Sequence, residues 1–155
     1  MGAAALPKSP RSRLPRRRRL RRPAEFAAVQ AAARADSLRA QTPWLALTAY
    51  WRASDQPGAR LGLTVSKRMA RRAVDRALVK RIAREAFRGL ADDIERAAAA
   101  AGMKADLSIR LKRPLGPPGT SERPGLMVLR HELRTDADEL MAAVITRLKR
   151  IAADV

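Results

Sequence analysis

Apolar and polar positions change period several times along the chain, and each change predicts an element. Residues 61–66 alternate, with Leu61, Leu63 and Val65 on one side and Gly62, Thr64 and Ser66 on the other, as in a short strand. Residues 44–52 alternate too: Leu45, Leu47, Ala49 and Trp51 share one face, and Ala46, Thr48, Tyr50 and Arg52 the other. Between them, 54–58 ends in Pro57-Gly58 and reads as a turn, so the two strands are expected to pair as an antiparallel hairpin. A last alternating run, 106–112, sets Leu107, Ile109 and Leu111 against Ser108, Arg110 and Lys112.

Helical periods surround these strands. After a basic turn at 67–72, at 100° per residue, Arg76, Lys80, Arg81, Arg84 and Arg88 fall in one arc of roughly 140°. Leu78, Val79, Ile82, Ala83, Ala86 and Leu90 take the opposite arc, and Phe87 is expected to join them in the core. Ala77 lies within the cationic arc and Leu78 on the border of the apolar one. An alanine-rich continuation ends at Gly102, which reads as a C-cap. Upstream, Pro23 opens a short helix with Phe26, Val29 and Gln30 at helical spacing. Residues 113–123, rich in Pro and Gly, read as a loop. Residues 132–151 form a closing amphipathic helix, with Leu133, Ala137, Leu140, Met141, Val144, Leu148 and Ile151 inward.

Charge sharpens this picture. The 155 residues carry 33 Lys and Arg against 15 Asp and Glu, a net charge of +18, and the pI of about 11.8 lies in the range of nucleic-acid binders. A G+C-rich coding sequence would account for Arg outnumbering Lys, but not for the excess of bases over acids. A run of charge is ordinarily a solvated face. From 67 to 88, however, nine bases (67, 68, 71, 72, 76, 80, 81, 84, 88) meet only Asp75 and Glu85. Like charges four apart each cost about 0.2–0.5 kcal/mol in an isolated helix, and a polyanion along the face would turn that repulsion into attraction. Residues 1–22, with three prolines and eight arginines from Arg11 onward, are expected to form a disordered basic arm making sequence-independent phosphate contacts, with a single domain over 23–151.

Several chemistries lack their residues. Without cysteine there is no disulfide and no thiolate metal site, in keeping with a reducing cytoplasm. No apolar run is long enough for a membrane span, and the basic amino terminus has no apolar segment after it to make a secretory signal. An Arg-rich, acid-free leader also matches an organelle transit peptide, the lesser reading. His131 is the single histidine, so a His-based triad or multi-His metal site cannot be built. Asp92 and Asp93 point about 100° apart on a helix and read as solvated surface rather than a catalytic pair. No phosphate-binding glycine loop is present. Taken from its residues, this is a binding protein with no catalytic side chain of its own.

The run GLTVSKRMARRAVDRALVKRIAREAFR, 62–88, resembles the signature of the bacterial ribonuclease P protein component: a strand end, a basic turn, then a helix usually reading Arg-Asn-Arg at its start. RLRRPAEFAAV upstream and ADLSIRLKRP downstream are similar to that family's first helix and last strand, so the likeness spans about 20–150. It implies an α+β fold, an α/β sandwich of order α-β-β-β-α-β-α, with a four-stranded sheet and a left-handed crossover helix. It also implies a protein subunit that binds a catalytic RNA and the 5′ leader of precursor tRNA. That RNA, carrying the Mg2+, removes the leader, and the complex is a cytoplasmic endoribonuclease. Carried onto this chain, Lys67, Arg68, Arg71, Arg72, Arg76, Lys80, Arg81, Arg84 and Arg88 would contact RNA, and Phe26 and Val29 would line the leader cleft. The chain departs from the pattern at Ala77-Leu78, in place of Asn-Arg, and at Gln30, where a second aromatic is common. A non-catalytic RNA-binding or ribosome-associated protein on the same fold is the alternative; a self-sufficient nuclease is disfavoured by the missing His and carboxylate clusters.

Overall fold

A computed structural model describes residues 14–154. Helix α1 (Pro23–Gln30) precedes strands β1 (Ser37–Gln41), β2 (Leu45–Ala53) and β3 (Ala59–Thr64); helix α2 (Ala73–Ala100), strand β4 (Met103–Leu111) and helix α3 (Leu126–Ala153) follow. The chain is thus a mixed α+β fold of order α-β-β-β-α-β-α with one four-stranded sheet, ordered β1-β2-β4-β3.

The expected hairpin of β2 with β3 does not form. β4 lies between them, antiparallel to β2 and parallel to β3. The hairpin partner of β2 is β1, closed by Thr42, whose N–H donates to the Leu45 carbonyl (2.9 Å). Alternation at 44–52 and 61–66 set which face each side chain takes, but a period of two says nothing about which strand lies alongside. β4 is the central strand whose faces are both covered, so Ala105 to Ile109 are all buried. In register, Leu107 faces Ala49 on one neighbour and Leu61 on the other, while Ile109 faces Leu47 and Leu63.

One face of the sheet packs against α2 and α3. Leu45, Leu47, Ala49, Trp51, Leu107, Ile109 and Leu61 meet Val79, Ile82, Phe87 and Ile94 from α2 and Leu133, Leu140, Met141 and Leu148 from α3 in one core. α3 starts six residues before the expected Glu132, adding a first turn, 126–131, that lies mostly in solvent. Leu78 is 7 % exposed and belongs to the core, so it is not the border residue its helical angle suggested. The C-cap of α2 is Ala101, and Gly102, one residue later than that position, ends the helix with a positive φ of 71°.

The other face takes α1. Its three rows across the sheet are Ser37, Tyr50, Asp106 and Arg60; Arg39, Thr48, Ser108 and Gly62; and Gln41, Ala46, Arg110 and Thr64. The ring of Phe26 lies on Gly62: a Cβ there would stand 2.3 Å from Phe26 Cε1 and 2.5 Å from Cζ, so only glycine fits beneath it. Arg60 ties the two layers together. Its Nε and Nη2 donate to both oxygens of Asp106 (2.8 and 2.9 Å), and its Nη1 donates to Glu25. Glu25 also accepts from the backbone N–H groups of Arg21 (2.8 Å) and Arg22 (2.9 Å) at the start of α1.

Of the arm expected to be disordered over 1–22, residues 14–22 are ordered; residues 1–13 lie outside the described residues. Leu14 and Leu20 are buried, Arg16–Arg18 form a 3-10 turn, and Arg19 bridges to Leu61 alongside β3. Arg18 is itself buried, its Nη2 donating to Asp92 of α2 (2.8 Å), with Glu95 at 3.5 Å. Two leucine anchors and ion pairs to α2 offset the ordering entropy that composition alone left unopposed.

Candidate nucleic-acid interface

The basic turn begins where β3 ends. Ser66 accepts from the N–H groups of Met69 and Ala70 (both 3.1 Å), folding the chain back and leaving Lys67 and Arg68 exposed at the tip. Arg72 caps α2 at an extended backbone angle, and Asp75 in the first turn meets the positive helix end. Asp75 is buried and accepts from Arg72 Nε (3.1 Å) and from Arg123 Nε (2.9 Å). Arg76 closes the turn from the other side: its Nη1 donates to the carbonyls of Ala70 (3.0 Å) and Arg71 (2.8 Å). One of its nitrogens therefore holds the protein's own backbone, leaving Nε and Nη2 for any ligand.

The loop after β4 braces the same turn. Leu115 is buried and its N–H donates to the Met69 carbonyl (2.8 Å), while Arg71 Nη1 donates to the Gly119 carbonyl. The 113–123 loop thus fixes the pose of Lys67, Arg68 and Arg71 over a groove of about 300 Å3.

Along α2 the expected arc is realised. Arg81 and Arg88 are exposed, Arg76, Lys80 and Arg84 are half-buried, and Val79, Ile82, Ala83, Ala86 and Phe87 face the core. Of the two leader-cleft candidates, Phe26 is half-buried on the α1 face. Val29 is fully buried beneath its helix, so it supports the ring's neighbourhood without offering surface to a ligand. Beyond Phe26 the third sheet row stays open, with Gln41, Arg110 and Thr64 exposed.

The structure adds residues that the chain's pattern did not single out. Arg19 faces Arg84. Burial first, and the like charge of Arg19 second, lower the Arg84 pKa, and the Nε atoms of both are buried without a partner. Two like charges coupled in this way repel each other, and a phosphate beside them would reverse that repulsion. Leu14 and Leu20, spaced around the arginine run, were the available sign that this segment packs. Arg123 and Arg130, beside the start of α2, lie far along the chain and carried none. Asp92 and Asp93 serve as ion-pair partners of Arg18 and Arg96.

The family model for ribonuclease P matches residues 14–122. The chain belongs to the ribonuclease P protein family. The ribonuclease P protein component of Bordetella parapertussis is 46% identical over 80 residues, 51% of this chain and 63% of that protein. The corresponding protein of Thioalkalivibrio sulfidiphilus is 45% identical over 74 residues, 48% of this chain and 57% of that one. The match therefore spans less than two thirds of these relatives' length. The solved RNase P protein of Staphylococcus aureus superposes with a TM-score of 0.54 at 18% identity, covering 82% of this chain and 96% of that one, a likeness of fold. Among the described residues, no helix of this ribonuclease P family member is long and apolar enough to cross a membrane.

Proposed function

We propose that this chain is the protein subunit of a ribonuclease P. It binds the catalytic RNA and the 5′ leader of precursor tRNA, so that the ribonucleoprotein removes the leader and generates the mature 5′ end in the cytoplasm. The observation that carries the reading is the cationic surface running from Lys67 through Arg88, to which the charge of Arg19 adds at Arg84. Lys67, Arg68, Arg71, Arg72, Arg76, Lys80, Arg81, Arg84 and Arg88 meet phosphates of the catalytic RNA and release its counterions. The leader runs over the α1 face, beside Phe26 and across Thr64 and Arg110.

Mg2+ held by the RNA supplies the metal-assisted hydrolysis. The protein's donors do not fit an ion of its own: Asp75 and Asp106 are each engaged by arginines, and among the described residues no three His, Asp or Glu gather at ligand distance. What the chain contributes is charge and position. Its cations screen RNA–RNA repulsion otherwise left to Mg2+, and Phe26 distinguishes a precursor from a product that lacks the leader.

The test is cleavage of precursor tRNA by a bacterial ribonuclease P RNA, with and without this protein, over a Mg2+ titration. The protein should lower the Mg2+ requirement and do nothing alone. Efficient cleavage by RNA-free protein would overturn the reading. Co-purification with ribosomal RNA, and no effect on the Mg2+ requirement, would select a ribosome-associated role.

A further inference from the structure

The large apolar side chains exposed among the described residues are gathered in one place. Val74 is 67% exposed on the first turn of α2; Leu126, Met127 and Val128, at 40%, 85% and 56%, form the first turn of α3. Between these helix ends runs a groove of about 340 Å3, floored by Val74, Ala77, Leu78 and Leu126. Arg81, Arg84 and Arg130 stand at its edge. The one carboxylate lining the groove, Asp75, is taken by Arg72 and Arg123; among the described residues none of the three guanidiniums is in an ion pair, with Glu85 in the adjoining hollow beside Arg81 and Arg130.

An apolar floor under unpaired arginines narrows the occupant. A second copy of this chain would bring another +18 against the same rim, and a purely apolar partner segment would leave the guanidiniums without a counter-charge. A nucleotide offers both features in one unit: a flat, weakly polar base for the floor and a phosphate for the rim. RNA is read mainly at single-stranded sites, where unstacked bases lie against apolar groups or guanidinium planes. Arg81 and Arg84 also belong to the cationic face of α2, so a strand whose backbone follows that face passes the groove.

We propose that the α2–α3 groove seats an unstacked base of the bound RNA, with Val74 and Leu126 against the base and Arg81, Arg84 and Arg130 on the flanking phosphates. The proposal rests on the reading of α2 as the RNA-binding face. It adds a contact of another kind, one that responds to base exposure rather than to charge.

The experiment measures the affinity of the full chain for a bacterial ribonuclease P RNA over a salt series, using V74S, L126S and, as the charge control, K80A. Both apolar variants should bind roughly five- to thirty-fold more weakly, within the scale of one stacked base. They should keep the wild-type slope of log K against log salt, because no phosphate contact is lost. K80A should make that slope shallower by about one unit. A benzophenone side chain placed at position 74 should crosslink to a nucleotide that is unpaired in the RNA. Val74 stands mostly in solvent, so V74S should melt as the wild type does and remain informative if L126S loosens the start of α3. Wild-type affinity in V74S and a crosslink spread over paired nucleotides, with K80A behaving as expected, would overturn the base seat and leave the RNA reading intact. An unchanged slope in K80A as well would overturn the RNA reading itself. Wild-type RNA affinity in V74S together with loss of a protein complex would assign the groove to a protein partner.

Discussion

Replacing Gly62 by alanine tests how the α1 face is built. The added Cβ would stand 2.3 Å from Phe26 Cε1, 2.5 Å from Cζ and 3.0 Å from Leu20 Cβ, where carbon pairs normally rest about 3.5–4.0 Å apart. The ring must therefore retreat by more than about 1 Å. It can swing out and lose its contact with the sheet, or push α1 away against the Glu25–Arg60–Asp106 link. Overpacking of this kind costs about 1–3 kcal/mol. Against it stands the gain of about 0.4–1 kcal/mol from a stiffer unfolded chain. The net expectation is a loss of about 1–2 kcal/mol, a fall in Tm of a few degrees for a domain of this size. A double-mutant cycle in urea isolates the cause: in a Phe26→Ala background the ring is gone, so Gly62→Ala should be neutral or slightly stabilising. The coupling should then be at least about 1 kcal/mol, well above the scatter between independent sites. Phe26→Ala itself should weaken precursor tRNA more than mature tRNA. A Gly62→Ala variant that costs nothing, or costs the same with and without the ring, would falsify the packing argued here.

Three further outcomes are expected. Glu25 is held down to about 2, from 4.5, chiefly by the Arg21 N–H, then by that of Arg22, and by the charge and hydrogen bond of Arg60. Its contribution is fully present above pH 4.5 and fades as pH falls toward 2, so Glu25→Gln should flatten the acid limb of a Tm-against-pH curve; an unchanged limb refutes the assignment. Lys80→Ala, Arg81→Ala and Arg84→Ala should each make the salt dependence of RNA affinity shallower by about one unit without lowering Tm, whereas Arg76→Ala should do both, because it also releases the Ala70 and Arg71 carbonyls. Leu78→Arg should lower Tm in thermal melts, since the burial lost with the leucine is worth up to about 1.5–3 kcal/mol; an unchanged Tm would show that the long side chain escapes into the groove.

The parts of the fold read correctly from the chain are those that a short window determines. The alternation of Leu45, Leu47, Ala49 and Trp51, and the arc of Val79, Ile82, Ala83 and Ala86, report burial directly because each face must meet the core. Strand partners are different. β4 displaced β3 from the side of β2 through contacts such as Ala49 with Leu107 and Leu61 with Leu107, which span much of the chain. β1 escaped the reading because Leu38 and Ala40 are modest apolar signals set among Ser37, Arg39 and Gln41. Leu78 was misplaced by a different cause. Its helical angle put it at the edge of α2's core face, but at 7 % exposure it belongs to the core cluster.

The same distinction governs the site. Every base from Lys67 to Arg88 was legible as charge, but charge alone does not separate cations that build the protein from cations left for a partner. Arg72 neutralises Asp75, Arg76 holds the turn, and Arg71 reaches the loop carbonyl of Gly119. Upstream, Arg18 and Arg60 are the ion pairs that fasten the amino-terminal segment and α1. These arginines define a rigid frame, and their electrostatic worth is largely met within the fold. Among the described residues, Lys67, Arg68, Lys80, Arg81 and Arg84 form no ion pair, and Arg84 also carries the repulsion of Arg19. Such an arrangement lowers the stability of the free protein. A polyanion along this face would reverse that repulsion, so on the proposed function these are the residues with most to gain from RNA.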